Sequence, residues 1–305
     1  CRMIERNVPS GISFLFIGYS WHLIWLSEEK RMLLPPPLVP LKKPLVLTLL
    51  VVALLFGWFW NIKPLYLNEK ISLARNLSYQ NHCKEALAIS NNVRWERSGI
   101  LKSYAILLYS DIVKNCAFIE PTKETEYAKK MVSLLTVAAD NRPTFSRTWL
   151  YLGSFANVLA ARETDAVKKR DLLAEAMNYL NKALELSPRR QETFAEIEKN
   201  YLIAENYPAM EAIGKECVAI DERFGECYWH MGIGQIFTGN QPEGTKNIEL
   251  ALKNGYVTPP YKQLAVAYMF HKNWKAAASA YEKIPIYYDQ ESTDIAASHH
   301  ATLAY

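Results

Sequence analysis

No long run of charges of one sign occurs in this 305-residue chain, and its formal net charge is only +4. Lysine and arginine are spread through the same segments as aspartate and glutamate. This distribution is typical of solvated helix faces and not of a basic surface that binds nucleic acid. We therefore predict no nucleic-acid partner. Half of the residues (50%) are hydrophobic, so the chain can bury a large core.

Motifs of common catalytic and cofactor sites are also missing. The sequence has no Gly-x-Ser-x-Gly, no His-Glu-x-x-His and no complete Gly-x-Gly-x-x-Gly. Gly232, Gly234 and Gly239 approach the last pattern, but no strand is predicted before them. His299 and His300 are adjacent, so on a helix their side chains diverge by roughly 100° and do not easily share a metal. We predict no catalytic residue, no cofactor and no metal in the chain as given.

What the chain does contain is a repeat. Ala176, Met210, Gly244 and Ala277 are 34, 34 and 33 residues apart, and each is a small or gap-filling residue in an apolar helical pattern. A period of about 34 and the surrounding large residues resemble the tetratricopeptide repeat, a helix-turn-helix unit that stacks into a solenoid. The large residues that open the first helices are Trp149, Phe194, Tyr228 and Tyr261. The predicted fold is all-α, with a right-handed solenoid of these repeats.

The repeats vary in regularity along the chain. They are regular over residues 146–305 and degenerate over residues 63–145. Between Leu152 and Ala176 one copy holds eleven residues more than the others, which we expect to lengthen both of its helices. Residues 292–305 form another predicted helical stretch, in which residues 301–305 fit the first helix of a further repeat, and this suggests truncation at the C-terminus. The alternative is that residues 294–305 form a solitary capping helix.

The five cysteines show no Cys-x-x-Cys spacing, which argues against a metal site. Cys217 occupies a small-residue core position of its repeat, where a structural thiol is the default. A disulfide between Cys217 and Cys227 is the alternative, and the sequence alone does not establish it.

Two long apolar runs precede the repeats. Residues 44–62 carry no charge and lie between Lys43 and Lys63, with an aromatic cluster near their end. We predict a membrane helix here, with a buried soluble helix as the alternative. Residues 1–26 hold a second predicted membrane helix, for which the alternative is a helix lying in the membrane interface. The basic, proline-rich loop of residues 27–43 slightly favours repeats on the outer side.

The order of segments before the repeats resembles a known family. Gly18, Tyr19 and His22 lie in the first apolar run, the basic loop and the second run follow, and the stretch 61–66 (NIKPLY) leads into the repeats. Over residues 8–75 this order is similar to the last membrane helices of bacterial O-antigen ligase/polymerase-like proteins, some of which carry tetratricopeptide repeats at their C-terminus.

The resemblance implies a setting and a partner class. Enzymes of that family transfer or polymerise lipid-linked glycans, with catalytic residues in a large extracytoplasmic loop that this chain does not contain. The resemblance therefore implies that this chain is the non-catalytic C-terminal part of a larger polytopic protein in the bacterial inner membrane. The repeats would lie on the extracytoplasmic side, near the lipid-linked glycan machinery. The alternative function is a fragment of a glycosyltransferase of surface polysaccharide assembly.

Tetratricopeptide solenoids bind protein or peptide partners along their first helices, so we predict a scaffold anchored in the lipid bilayer by two helices. The phase of the repeat predicts a groove lined by Arg147, Asn157, Lys199, Trp229, Ile233, Ile236, Phe237, Lys262, Met269 and Phe270. The sets around Trp229 and Phe270 are apolar for a surface, as binding sites often are. The alternatives are a phase that slips by one residue and an additional C-terminal helix that fills the groove.

Overall fold

The computed structural model of the chain describes residues 43–58, 63–92, 102–117, 121–257 and 259–284. Within these ranges it contains thirteen α-helices, one short 3-10 turn and no β-strand, as an all-α fold requires. The predicted first membrane helix and most of the loop after it lie outside the described residues. The predicted helical stretch at 292–305 lies outside them as well. The described helices fall into two compact units divided near Ala105.

The first unit contains three helices: α1 (Lys43–Gly57), α2 (Lys63–Tyr79) and α3 (Cys83–Asn91). Helices α2 and α3 pack against each other across a tight turn, in which Asn81 has a left-handed φ of 62°. Ala74 and Ala86 are fully buried between them. This pair matches the degenerate repeat unit that the sequence predicts at the start of residues 63–145.

The prediction of two N-terminal transmembrane helices is overturned. Among the described residues, no helix is both long enough and apolar enough to cross a membrane. Helix α1 has 15 residues, which corresponds to about 22 Å at 1.5 Å per residue. The hydrocarbon core of a bilayer is about 30 Å thick. The prediction took the uncharged run 44–62 as one helix, but the absence of charge does not determine where a helix ends, and α1 ends at Gly57.

The second unit, from Ile106 onward, consists of helix hairpins. Their first helices are α4, α6, α8, α10 and α12, and each is followed by a second helix of the same pair. The bounds are α4 (Lys102–Cys116), α5 (Glu124–Asn141), α6 (Ser146–Arg162), α7 (Ala166–Leu186), α8 (Gln191–Ile203), α9 (Tyr207–Ile220), α10 (Gly225–Phe237), α11 (Gln241–Lys253), α12 (Tyr261–Phe270) and α13 (Trp274–Tyr281). From α6 to α12 each first helix contacts the next first helix, so these helices form a continuous layer.

The residues that set the 34-residue period lie where the two helices of a pair meet. All four are buried: Ala176, Met210, Gly244 and Ala277. The closest approach is between α10 and α11, where a Cβ added to Gly244 would lie 2.7 Å from the carbonyl oxygen of Gly232. A Cβ on Gly232 would lie equally close to the Gly244 oxygen. In this pair the two backbones leave no room for a side chain at Gly232 or Gly244, whereas the equivalent position of α9 holds the buried Met210.

The turns inside the hairpins repeat with the same period. Glu205, Gly239 and Lys272 each have a left-handed φ, of 59°, 94° and 56°. An asparagine follows each of them and precedes a second helix. The Asn206 and Asn273 side chains accept hydrogen bonds from backbone N–H groups three residues later, which satisfies donors that a helix N-terminus leaves unpaired. One turn geometry therefore generates successive hairpins.

The eleven additional residues lengthen both helices of the pair α6 and α7, as the sequence predicts. Helix α6 has 17 residues against 13 in α8, and helix α7 has 21 against 14 in α9. Asp165 caps the start of α7 by accepting the N–H groups of Val167 and Lys168. The insertion therefore extends both helices and does not form a loop.

Cys217 of α9 and Cys227 of α10 form a disulfide with a Cα–Cα distance of 6.1 Å. This distance lies within the range that a disulfide bridges. The bond joins the second helix of one pair to the first helix of the next, and Phe194 of α8 packs against it. Of the two readings of the sequence, the structure has the disulfide and not the separate thiols.

Candidate functional site

A cavity of about 310 Å³ lies among the first helices α4, α6 and α8 and the second helix α5, and one residue of α12 also lines it. This volume is at the lower end of ligand-binding pockets and suits one or two side chains of a peptide. Its apolar lining is Val113, Ala117, Ala128, Phe155, Val158, Ala161, Leu202 and Ile203. Its polar lining is Lys114, Glu124, Ser154, Asn157, Glu196, Lys199 and Gln263.

One wall of the cavity is a chain of alternating charges. Lys114 Nζ donates to Glu196 Oε1 at 2.8 Å. Lys199 Nζ donates to the same oxygen at 3.2 Å and to Glu226 Oε1 at 2.8 Å. The chain crosses from α4 through α8 to α10, and its central carboxylate, Glu196, is only 4% exposed. Ion pairs therefore connect these three first helices.

The ion pairs determine the charge of this wall. Burial raises the pKa of Glu196, but attraction to Lys114 and Lys199 outweighs it and brings the pKa to about 2. Burial lowers the pKa of Lys199, and Glu196 and Glu226 outweigh it in the same way, so that the pKa is raised. Glu196 and Lys199 are therefore both charged at neutral pH.

Two asparagines hold the first helices beside this wall. Asn157 of α6 donates from Nδ2 to the backbone oxygen of Glu196 at 2.9 Å. Asn200 of α8 donates to Asn157 Oδ1 at 2.8 Å and to the backbone oxygen of Leu173 at 3.1 Å. The side-chain groups of Asn157 are thus used within the protein, and this residue positions the cavity wall.

Behind the wall lie two buried ionisable groups with no hydrogen-bond partner among the described residues, Glu198 and His230. Burial, reinforced by the nearby Glu226, raises the pKa of Glu198 well above its ordinary value. Burial lowers the pKa of His230, although Glu226 opposes the shift from 3.7 Å. Both groups are therefore neutral in the folded protein over a range in which they would be charged in the unfolded chain.

The predicted groove residues fall into three groups, and the first lies at or near the cavity. Asn157 and Lys199 line it directly. Arg147 lies on α6, where its guanidinium binds both carboxylate oxygens of Asp111 at 3.0 Å and the hydroxyl of Tyr151 at 2.8 Å. Tyr151 also donates to Asp111. Arg147 therefore connects α6 to α4 within the layer of first helices.

The second group does not line an open groove. Trp229 and Ile233 are fully buried, and Ile236 and Phe237 are buried beside them. The Trp229 ring contacts Tyr256 and Tyr261, with the Tyr261 ring edge-on at 5.3 Å. The expectation that these residues form an exposed apolar surface is wrong, because neighbouring helices enclose α10. Trp229 and Phe237 contact α12, and Ile236 packs against Gly244 of α11.

The third group lies on α12. Lys262 and Phe270 are exposed, with Phe270 at 64%, and Met269 is half-buried. Phe270 contacts Phe237 edge-to-face at 5.6 Å. These residues form a stripe on the last described first helix, and their role in binding a partner stays a prediction.

The sequence reasoning missed Lys114, Glu196 and the residues of α4 and α5 that complete the cavity. A signal was present for Glu196: it lies one helical turn before Lys199, at a position of α8 that the repeat pattern requires to be buried. A carboxylate at a buried position needs a cation, and Lys199 was the nearest one. No comparable signal indicates Lys114, which is 82 residues away from Glu196 in sequence.

The comparisons with known proteins agree with this architecture. No protein-family model and no curated protein matches the chain, so the resemblance to O-antigen ligase-like proteins is not shown. Among solved structures, a thermophilic TPR protein from Thermus thermophilus is similar at 13% identity with a TM-score of 0.53, covering 70% of this chain and 98% of that chain.

A MamA structure from Desulfovibrio magneticus RS-1 is also similar at 13% identity. It covers 61% of this chain and 94% of that chain, but its TM-score of 0.40 is too low to support a shared fold. The first of the two similarities shows the fold. Together with the 34-residue period and the repeated hairpins, it establishes that this chain has the tetratricopeptide-repeat fold.

Proposed function

We propose that this chain is a non-catalytic docking scaffold that binds a segment of a partner protein in the cavity between α4, α5, α6 and α8. The observation that carries the proposal is the cavity itself, a largely apolar recess of about 310 Å³ among these four helices. Its walls are helices tied together by Asn157, Asn200 and the ion pairs of Glu196. A recess built on such rigid elements is largely formed before a ligand arrives.

The chemistry of the walls favours an apolar anchor. Lys114, Glu196 and Lys199 satisfy one another, so a charged ligand group would have to compete with existing ion pairs. An apolar side chain gains from the remaining surface, which Phe155, Val158 and Leu202 contribute. Burying one leucine-sized side chain contributes about 1.5–3 kcal/mol. The partner segment we infer is therefore a peptide with a large apolar residue between more polar neighbours.

Filling the cavity tests this proposal. Ala161 lines the cavity at its exposed edge, so Ala161→Phe places a ring in it with little cost to folding. Peptides are first selected on the wild-type protein from a displayed random library, and their Kd is then measured by fluorescence anisotropy. We expect Ala161→Phe to weaken binding by about 30-fold, which corresponds to about 2 kcal/mol.

The matched control is Ala212→Phe, the same substitution at an exposed position of α9 that does not line the cavity. It should leave the Kd of the selected peptides unchanged. If Ala161→Phe and Ala212→Phe bind these peptides equally well, the cavity is not the docking site. Circular dichroism of both variants establishes that they are folded.

We also propose that the repeats lie in an extracytoplasmic, oxidising compartment of the bacterial cell envelope. The support is the disulfide between Cys217 and Cys227, because such bonds persist outside the reducing cytosol. Cells producing the protein are quenched in acid, and free thiols are labelled with a maleimide of high mass. We expect both cysteines to be unlabelled until a reductant is added. Immediate labelling of both would place the repeats in a reducing compartment.

The alternative function, part of a glycosyltransferase that acts on lipid-linked glycans, depends on residues 8–75. Of that segment the structure describes α1 and most of α2, and neither helix lines the cavity that carries the docking proposal. No observation in the described part of the second unit favours it either. The docking function is therefore the one we carry forward.

A further inference from the structure

The exposed stripe of α12 repeats a pattern that the preceding first helix buries. On α10, the rings of Trp229 and Phe237 contact Tyr261 and Phe270 of α12, and Ile233 and Ile236 are buried in the same cluster. The residues 33 positions later in the chain are Lys262, Val266, Met269 and Phe270. Three of these four are apolar, as the equivalent residues of α10 are. The stripe therefore has the composition of a junction between two repeats.

The exposure of the stripe is what distinguishes it from the preceding junction. Phe237 is 8% exposed, because its ring stacks on Tyr207 at 4.1 Å and also contacts Phe270, the equivalent ring of the next first helix, edge-on at 5.6 Å. Phe270 itself is 64% exposed and Val266 is 44% exposed. Among the described residues, no first helix follows α12 to cover them. Exposed aromatic and aliphatic side chains in this arrangement are a surface to which another segment binds.

We propose that residues 294–305 of this same chain bind to this stripe as a further first helix. Phe237, Phe270 and Leu303 follow one another at intervals of 33 residues. Leu303 therefore has the repeat position of Phe270, and it would contact Phe270 as Phe270 contacts Phe237. Ile295 is likewise 33 residues after Lys262. Residues 295–305 contain no aspartate, glutamate, lysine or arginine. As a helix this segment would be about as long as α12, at about 1.5 Å per residue.

The reach of the chain permits this arrangement. Helix α11 ends at Lys253 and α12 begins at Tyr261, so seven residues suffice to bring the chain from a second helix to the next first helix. From the end of α13 at Tyr281 to residue 294 the chain has twelve residues. The stripe is then an internal surface of the solenoid, and the cavity is left as the place for a partner. This inference does not depend on the proposed function.

Hydrogen exchange in the full chain, followed by mass spectrometry, tests the inference. We expect the amides of residues 294–305 to exchange at least about tenfold more slowly than those of an open chain. Phe270→Asp places a charge in the stripe and Leu303→Asp places one in the segment, and each should return residues 294–305 to the rate of an open chain. Val167→Asp, at an exposed position of α7, is the matched control and should leave the protection intact.

The peptide that covers α12 reports in the same experiment whether Phe270→Asp unfolds that helix. Where it does, Leu303→Asp decides the question, because that substitution lies outside α12. Two results would overturn the inference. One is exchange of residues 294–305 at the rate of an open chain in the wild-type protein. The other is protection that persists in both aspartate variants.

Discussion

Replacing Trp229 with alanine is expected to lower the free energy of unfolding by about 3–5 kcal/mol. The side chain is fully buried and lies between α10 and α12, where its ring contacts Tyr256 and Tyr261. Alanine removes this apolar area and leaves a cavity that two packed helices cannot close. Urea unfolding at pH 7 measures the loss. A groove residue would behave differently, because its removal weakens the binding of a partner and leaves stability unchanged.

Trp274→Ala is the matched control, since it removes the same side chain from a position that is 57% exposed. It should change the free energy of unfolding by less than about 1 kcal/mol. If Trp229→Ala proves as mild as Trp274→Ala, then α12 does not cover α10 in solution. The repeat phase that makes Trp229 a groove residue would then be correct.

The second large effect concerns the cavity wall. Glu196→Gln is expected to destabilise the protein at pH 7 by about 3 kcal/mol. This is the free energy that corresponds to holding the Glu196 pKa at about 2 against an ordinary value of 4.5. Because the folded-state pKa is the lower one, the stabilisation is complete above pH 4.5 and is lost as the pH falls toward 2. The difference between wild type and Glu196→Gln should therefore shrink with acidity, as denaturant unfolding between pH 7 and pH 3 measures.

Glu198→Gln provides a control of opposite sign, two residues away on the same helix. Because the pKa of Glu198 is raised in the folded state, its cost to stability is absent below pH 4.5 and grows as the pH rises above that value. Glu198→Gln should therefore stabilise the protein at pH 7 and leave its stability unchanged near pH 4. Two variants with the same sign at pH 7 would contradict the described arrangement of charges.

The repeat period was enough to predict the hairpins and the positions where they meet. Small residues at Ala176, Gly244 and Ala277 recur because the backbones of each pair approach closely, and this constraint is local to one repeat. The eleven-residue insertion was predictable for the same reason. A solenoid holds its phase only when added residues extend the helices of one pair, as α6 and α7 do.

The sequence was less informative about which face of a first helix is open. Each first helix has its own second helix on one side and the next first helix on another. The repeat period cannot show how much of the helix surface the next first helix covers. In α10 almost every residue is buried, and Glu226, His230 and Gln235 are its only charged, imidazole or amide side chains. A helix with so few polar side chains is one that other elements enclose. That composition was visible in the sequence and should have excluded Trp229 and Ile233 from the groove.

The cavity itself could not be predicted from the chain. It needs Val113, Phe155 and Leu202 from three repeats, and their separations in sequence exceed one period. Asn157 and Lys199, which line the cavity, were predicted as groove residues because the repeat phase of α6 and α8 is regular. Lys114 was not, because it lies in the degenerate part of the repeat array. The long uncharged run before the repeats failed as a predictor for a different reason, since it says nothing about where α1 ends.

Partner binding at the cavity of α4, α5, α6 and α8 is the central claim about this protein. The measurement that tests it most directly is the ratio of Kd values of Ala161→Phe and wild type for peptides selected on the wild-type protein. We predict a ratio of about 30, with a ratio of about 1 for Ala212→Phe. A ratio of about 1 for Ala161→Phe, in a protein that is folded, would contradict the claim.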